Sequence, residues 1–375
     1  MKIGIVCPYN MFQFAGGVQD IVVNLHHYLV AKGHTVKIIT PRPRAHYDSV
    51  GDDYILVGRS TKMNTPFNTM VDVGFEADGD EIQSILDREQ FDIIHFHEPW
   101  VPVLSRQILA RSRSVNVATF HAKLPESLLS KSIVNSIVPY TKSILKYIHV
   151  YTAVSPAAAE HLQSLSSEYI EIIPNGIELA RFTHAPTRRL KSKKKSIVYL
   201  GRLEKRKGVD YLLTAYAKLR EEHDDVELKI AGNGVKNSSL RRLVSQYKIP
   251  DVSFLGFVGE EDKVGLIASA DIFCSPALYG ESFGIVLLEA MAVGTPVVAG
   301  NNSGYASVMT GKGRLSLVDP TSTSDFSQRL ELMLYDSDIR NLWIRWASKE
   351  VAQYDFKVVA SKYETVYKQA LALYA

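Results

Sequence analysis

Short apolar segments of strand length alternate with helix-length segments twice along this chain, and no other feature restricts its fold as tightly. The first series opens with a strand at Ile3–Cys7, a loop holding Gly16-Gly17, a helix over Val18–Lys32 with apolar residues at Ile21, Leu25, Tyr28 and Leu29, and a strand at Val36–Thr40. Further strands are expected at 91–96, 115–120, 150–154 and 170–173, after which Pro174-Asn175-Gly176 breaks the pattern. The second series runs through strands at 196–200, 226–230, 252–254, 272–275 and 297–299, with helices between them and two more after Pro320. Such alternation builds a parallel sheet covered by helices on both faces. Two series therefore predict an α/β chain of two Rossmann-like domains. Residues 41–80, rich in Pro, Gly, Asp and Asn, read as irregular loops, 132–148 as a helix, and 356–374 as a final amphipathic helix.

Composition excludes several classes. At 375 residues and 46% hydrophobic, the chain can build two cores. Lys and Arg number 43 against 40 Asp and Glu, which argues against a general nucleic-acid binder. The one basic run, RRLKSKKK at 188–195, carries no interleaved aromatic residue and reads as a solvated linker. Cys7 and Cys274, far apart and each in an apolar strand pattern, read as buried free thiols of a reduced, cytoplasmic protein. MKIGIVCPY reads as a buried opening strand, not a signal peptide, and no apolar run is long enough to span a membrane. Any membrane contact is expected to be peripheral.

The chemistry concentrates in two places. Residues 279–299, YGESFGIVLLEAMAVGTPVVA, read as a turn, an apolar helix over 283–293, a stop at Gly294 and a strand. Glu281, with Ser282, offers N-cap chemistry, and Glu289 lies two turns deeper. On one helix the two carboxylates would stand about 12 Å apart along the axis and about 80° apart around it. That is too far for an acid and base on one bond and suits two grips on one elongated ligand. Earlier, Gly201-Arg202 ends a strand, and Lys207-Gly208 follows at a helix mouth. Cations there add to the positive end of the helix dipole and make a site for a pyrophosphate. A ligand with a diphosphate in the middle, sugar hydroxyls at one end and ribose hydroxyls at the other would satisfy Arg202, Lys207, Glu281 and Glu289 together: a nucleotide sugar.

The first half offers weaker signals. Gly16-Gly17 at a helix mouth reads either as a loop allowing close backbone approach to a ligand or as a plain flexible loop. His95, His97 and Glu98 fit no common metal-ligand spacing, so no metal is expected. His121 directly follows a strand of a parallel sheet, where ligand crevices open.

GRLEKRKG, ESFGIVLLEAMAVGTPVVA, AGGVQ, HFHEP, ATFH and IPNGI together resemble the retaining GT-B glycosyltransferases of family four, most nearly the phosphatidyl-myo-inositol mannosyltransferases, over nearly the whole chain. The resemblance implies two Rossmann-like domains with an interdomain cleft, the first formed by 1–173 plus 356–375 and binding the acceptor, the second by 174–355 and binding the donor, with the C-terminal helix crossing back. It assigns Arg202 and Lys207 to the diphosphate of a GDP-mannose or UDP-glucose type donor and Glu281 to the transferred sugar. Glu289 would hold the ribose, with Phe283, Gly284 and Ile285 at the helix mouth also on the donor. His121 would touch the sugar beside the reacting bond, and Gly16 and Gly17 would back the diphosphate. No metal or cofactor is implied.

On the acceptor side the resemblance points to Tyr9 and Gln19, with Trp100 where the relative has Asn, Ala122 where it has Thr, Glu126 where it has Lys, and Lys123 as a nearby substitute cation. EADGDEIQSILDRE at 76–89 is acidic where the relative has a basic, lipid-docking helix. These departures leave the acceptor open among phosphatidylinositol, another lipid such as diacylglycerol, a sugar phosphate and a soluble hydroxyl compound. The chain is expected in the cytoplasm or on the inner face of the cell membrane. Of other classes, an NAD-linked Rossmann oxidoreductase would need G-x-G-x-x-G after the first strand, and PYNMFQFAGG lacks it. A nonenzymatic nucleotide-sugar binder would share the donor site without turnover.

Overall fold

The computed structural model describes residues 1–12, 16–44, 51–64, 70–75, 78–123, 138–183 and 194–375. The chain forms two compact units, Met1–Gly176 with Phe356–Ala375, and Ile177–Asp355.

The first unit contains strands β1 (Lys2–Val6), β2 (Thr35–Pro41), β3 (Tyr54–Val57), β4 (Arg59–Asn64), β5 (Met70–Phe75), β6 (Ile93–His97), β7 (Val115–Phe120), β8 (Val150–Ala153) and β9 (Ile170–Ile172). Seven of them form a sheet in the order β3-β2-β1-β6-β7-β8-β9, and each pair is parallel. Residues 41–80 are more ordered than their composition suggests, since β3 joins the main sheet and β4 pairs antiparallel with β5. Scattered Gly, Pro and Asp hide strands this short from a reading of composition. Of the helix expected over 132–148, residues 138–145 are helical. Its beginning, Glu126 and most of the basic run lie outside the described residues.

Sheet order reverses between β1 and β6, so the loops after these strands diverge and leave a crevice at the carboxyl edge. Gly16 follows β1, His97 ends β6 and His121 follows β7. The helix Phe356–Tyr374 closes this unit, burying Phe356, Val359, Ala360, Tyr363, Val366, Tyr367 and Ala370 against the helix Gly17–Ala31 and β7. Their spacing of three and four residues puts them on one face, and each large apolar side chain buried this way contributes about 1.5–3 kcal/mol.

The second unit has β10 (Lys195–Leu200), β11 (Val226–Ala231), β12 (Val252–Gly256), β13 (Ile272–Ser275), β14 (Val297–Gly300) and β15 (Leu317–Val318), parallel and ordered β12-β11-β10-β13-β14-β15. Its core holds Tyr199, Tyr216, Phe273, Tyr305, Phe326 and Trp343. Here the order reverses between β10 and β13, which places Gly201-Arg202 and residues 276–284 at the switch point. Cys7 and Cys274 are buried, unpaired thiols. Among the described residues no helix is long and apolar enough to cross a membrane.

Candidate active site

In the second unit, glycines dictate how the charged residues meet. The short turn Lys205–Lys207 ends at Gly208, whose φ is 67°, and a Cβ there would come within 2.2 Å of the Pro276 carbonyl oxygen. Only glycine lets this turn lie against the loop after β13, where the Leu278 N–H donates to the Arg206 carbonyl at 2.8 Å. The expected helix is shorter than its sequence suggests, running Ile285–Ala292. Gly284, at φ 115°, sits at its N-cap with no side-chain cap, and a Cβ there would stand 2.7 Å from the Tyr305 ring. Glu281 is therefore on the loop, not the helix, and the 12 Å helical spacing to Glu289 does not apply.

Freed from the helix, Glu281 turns toward the basic turn. Its Oε1 accepts from Arg206 Nη1 and Lys207 Nζ, each at 2.7 Å. Arg206 Nε reaches Glu204 Oε2 at 3.1 Å, and Arg202 Nη1 reaches Glu204 Oε1 at 3.0 Å. The result is a chain of alternating charge, Arg202–Glu204–Arg206–Glu281–Lys207, with one net positive charge. Its Arg202 end is 42% exposed, while the other four side chains are at most 15% exposed. Burial pushes the Glu281 carboxyl upward, but Lys207 and Arg206 outweigh it and hold it below the usual range. The sequence pattern pointed to Lys207 and missed Arg206. The signal was the unbroken KRK triplet at 205–207, two of whose cations meet Glu281.

Glu289 lies inside the helix and is buried. Lys263 Nζ donates to its Oε1 at 2.7 Å and also contacts Glu260 at 2.8 Å, with Arg181 3.7 Å from Glu260. Burial raises the Glu289 carboxyl against the pull of Lys263. Lys263 also escaped the sequence reading, because its helix, Glu260–Ala268, looks like an ordinary acidic-start surface helix. Phe283 is buried and packs edge-on near Tyr354 at 5.9 Å, which leaves the backbone of 283–285 as the part available at the helix mouth.

In the first unit, the ends of β6 and β7 carry a buried histidine cluster. His97 Nδ1 lies 2.8 Å from His121 Nε2, and their rings stack at 5.0 Å. The His121 backbone N–H donates to Glu98 Oε1 at 2.7 Å. Glu98 adopts a left-handed φ of 49°, and burial lifts its carboxyl to about 7, against hydrogen bonds from His121, Ala122 and Trp100. Burial drops His95 and His121 to about 3 and His97 well below its ordinary value, so all three imidazoles are neutral. His95 is bound on both sides, by Thr119 at 2.6 Å and by Tyr367 of the last helix at 2.7 Å.

Gly16 caps the helix Gly17–Ala31 in extended conformation, and a Cβ there would meet Gln19 Oε1 at 2.5 Å. Gln19 in turn reaches the Asn10 carbonyl at 3.5 Å. Tyr9 is half-buried, its hydroxyl raised by burial and by the nearby Glu98. Trp100 is buried edge-to-face on Phe120 at 5.2 Å. Lys123 pairs with Glu160 at 3.1 Å. Among the described residues, the one His and carboxylate grouping close enough to share an ion is Glu222, His223 and Glu331, away from all of these.

Two doubly wound units, the second with paired charges at the mouth of a strand-end helix, agree with the GT-B architecture that the sequence motifs imply. Residues 15–181 match Glycosyltransferase Family 4 and residues 181–350 match Glycosyl transferases group 1. The chain is 34% identical over 374 residues to a phosphatidyl-myo-inositol mannosyltransferase of Mycolicibacterium smegmatis, covering 98% of this chain and 94% of that one. Among solved structures, sucrose-phosphate synthase of Thermosynechococcus elongatus superposes with a TM-score of 0.80 at 20% identity, over 99% of both chains. Anabaena HepE in complex with UDP and glucose superposes with a TM-score of 0.75 at 16% identity, over 98% of this chain and 99% of that one. The chain belongs to glycosyltransferase family 4 and is a hexosyl-transferring enzyme.

Proposed function

We propose that this enzyme moves mannose or glucose from a nucleoside diphosphate sugar to a hydroxyl acceptor, with retention at the anomeric carbon and without a metal ion. The observation that carries the reading is the pair of ion-paired carboxylates in one unit, Glu281 on Arg206 and Lys207, and Glu289 on Lys263. Arg202 and Lys207 hold the diphosphate and, with the helix mouth, offset the charge that grows on it as the bond to the sugar breaks. Glu281 accepts from sugar hydroxyls and Glu289 from ribose hydroxyls, while the backbone of Phe283, Gly284 and Ile285 lines the donor. The C1–oxygen bond to the diphosphate breaks, the acceptor oxygen bonds C1 on the same face, and the acceptor's proton passes to the departing phosphate oxygen. Glu281 is a poor nucleophile for a double displacement, because two cations already share its Oε1 and hold it strongly ionised.

The first unit supplies the acceptor side and the remaining donor contacts: His121 to the sugar, Gly16 and Gly17 to the diphosphate, and Tyr9, Gln19, Trp100 and Lys123 to the acceptor. Likeness to the mycobacterial enzyme supports phosphatidylinositol as acceptor, and a lipid acceptor puts the enzyme at a membrane, here proposed as the inner face of the cell membrane. In that case Lys123 exchanges Glu160 for the lipid phosphate. Incubating the enzyme with a panel of GDP and UDP sugars, phosphatidylinositol and diacylglycerol vesicles, with and without chelator, and reading products by mass spectrometry tests the reading. A glycolipid formed equally with chelator, and lost in Glu289→Ala, is expected. Failure of every donor to bind or react, or an unaffected Glu289→Ala, refutes it.

A further inference from the structure

The geometry points to a further role: His97 is a positioning residue for His121, its Nδ1–H holding the His121 ring in the tautomer with the proton at Nδ1. His121 is then a fixed neutral hydrogen-bonding group, not an acid or a base. The proposal rests on the reading that His121 serves the donor sugar.

The two residues are brought together by the sheet. His97 ends β6, and its register partner on β7 is Thr119, two residues before His121. The rings stack with an interplanar angle of 26°, and the 2.8 Å between His97 Nδ1 and His121 Nε2 requires one proton between them. There are two ways to place it. If His121 Nε2 carries the proton, His97 accepts at Nδ1 and, being neutral, has its own N–H at Nε2. That atom is buried and has no hydrogen-bond partner among the described residues. If His97 Nδ1 carries the proton, the unpartnered atom is only a lone pair. A buried N–H without an acceptor is the rarer and costlier defect. His97 therefore donates, and His121 Nε2 accepts.

With Nε2 occupied as an acceptor, the N–H is at Nδ1. Glu98 fixes the backbone beneath the same ring through the His121 N–H. The ring is thus held by His97, and the backbone below it by Glu98. Burial on every side keeps the histidines neutral, so no protonation change competes with this arrangement.

The test uses the full chain with 15N-labelled histidine. Long-range proton–nitrogen spectra report the tautomer of each ring, and His121→Phe assigns the His121 signals. His121 is expected with its proton at Nδ1; a proton at Nε2 overturns the proposal. In turnover of the preferred donor, His97→Phe keeps the ring volume but removes the donor, and kcat is expected to fall about 10- to 100-fold, as for other residues that orient a functional ring, with donor KM changed little. His97→Asn, whose Nδ2–H stands where the imidazole Nδ1–H stood, is expected to recover most of the loss. Equal loss in both variants, each folded by its melting curve, also overturns it. If the Nδ1–H tautomer is seen but His121→Ala turns over normally, the assignment of His121 to the reaction fails while the tautomer assignment stands.

Discussion

Arg206 offers a sharp test of the charged cluster in the second unit, because three of its contacts are defined and all involve poorly exposed groups. Its guanidinium bonds Glu281 at 2.7 Å, the Gly280 carbonyl at 3.3 Å and Glu204 at 3.1 Å. Breaking a buried ion pair from one side costs about 3–5 kcal/mol. In Arg206→Met, however, Glu281 keeps Lys207 at 2.7 Å and Glu204 keeps Arg202 at 3.0 Å, so the loss belongs at the lower end, about 3 kcal/mol. For a unit the size of Ile177–Asp355 that corresponds to a drop of about 6–12 °C in the melting temperature.

The pH dependence gives the test its sign. Glu281 is depressed by its cations, so its contribution to stability is present above the unfolded carboxylate pKa and disappears as pH falls through the lower folded value. Removing Arg206 moves the folded value back up. The gap between wild type and variant should therefore be full at neutral pH and narrow below the ordinary glutamate range. Thermal melts at neutral pH and at about pH 4, repeated in Glu281→Gln and in the double variant, measure it. A gap under about 1 kcal/mol at neutral pH, or one that stays constant on acidification, would refute the reasoning.

If Glu289 holds the ribose as proposed, nucleotide affinity, measured by calorimetry, should begin to fall on acidification above the usual carboxylate range, because burial has raised its carboxyl. Glu289→Gln should lose about 10- to 100-fold in affinity and flatten that dependence, as expected for a hydrogen bond to a charged group. In the first unit, Tyr367→Phe removes the 2.7 Å hydrogen bond to His95 and should cost about 1–3 kcal/mol in urea unfolding. Tyr363→Phe should cost less, since its contact with Thr119 is 3.4 Å and Thr119 keeps His95 and Thr152, both at 2.6 Å. Equal losses would contradict this ranking.

The parallel architecture was legible because strands such as β1, β7 and β13 are short, mostly apolar and buried nearly throughout, and the helices between them keep their period. Position at a strand end was legible too, as His121 and Arg202 illustrate. The start of the helix carrying Glu289 was misread, because Glu281-Ser282 has the composition of a cap while the left-handed Gly284 moves the boundary downstream. Lys263 was not legible, and Arg206 and His97 showed only as members of the KRK triplet and the HFHEP segment. Each pairs with a residue from a distant stretch of sequence, Glu289, Glu281 and His121 respectively, and local pattern does not show which residue that partner is.

The last helix also has a meaning for how the molecule is made. In the second unit the Ile177 N–H donates to the Tyr354 carbonyl at 2.9 Å, and Ile177 bridges Asp355, so the entry and exit of that unit are side by side, as in a module spliced into a host. A ribosome finishes this module while the host still lacks its closing helix. Until Tyr367 emerges, the host sheet holds His95 with Nδ1 unclaimed. The second unit can thus mature first, and the unit that carries His121 completes its interior only once the helix Phe356–Tyr374 has been made.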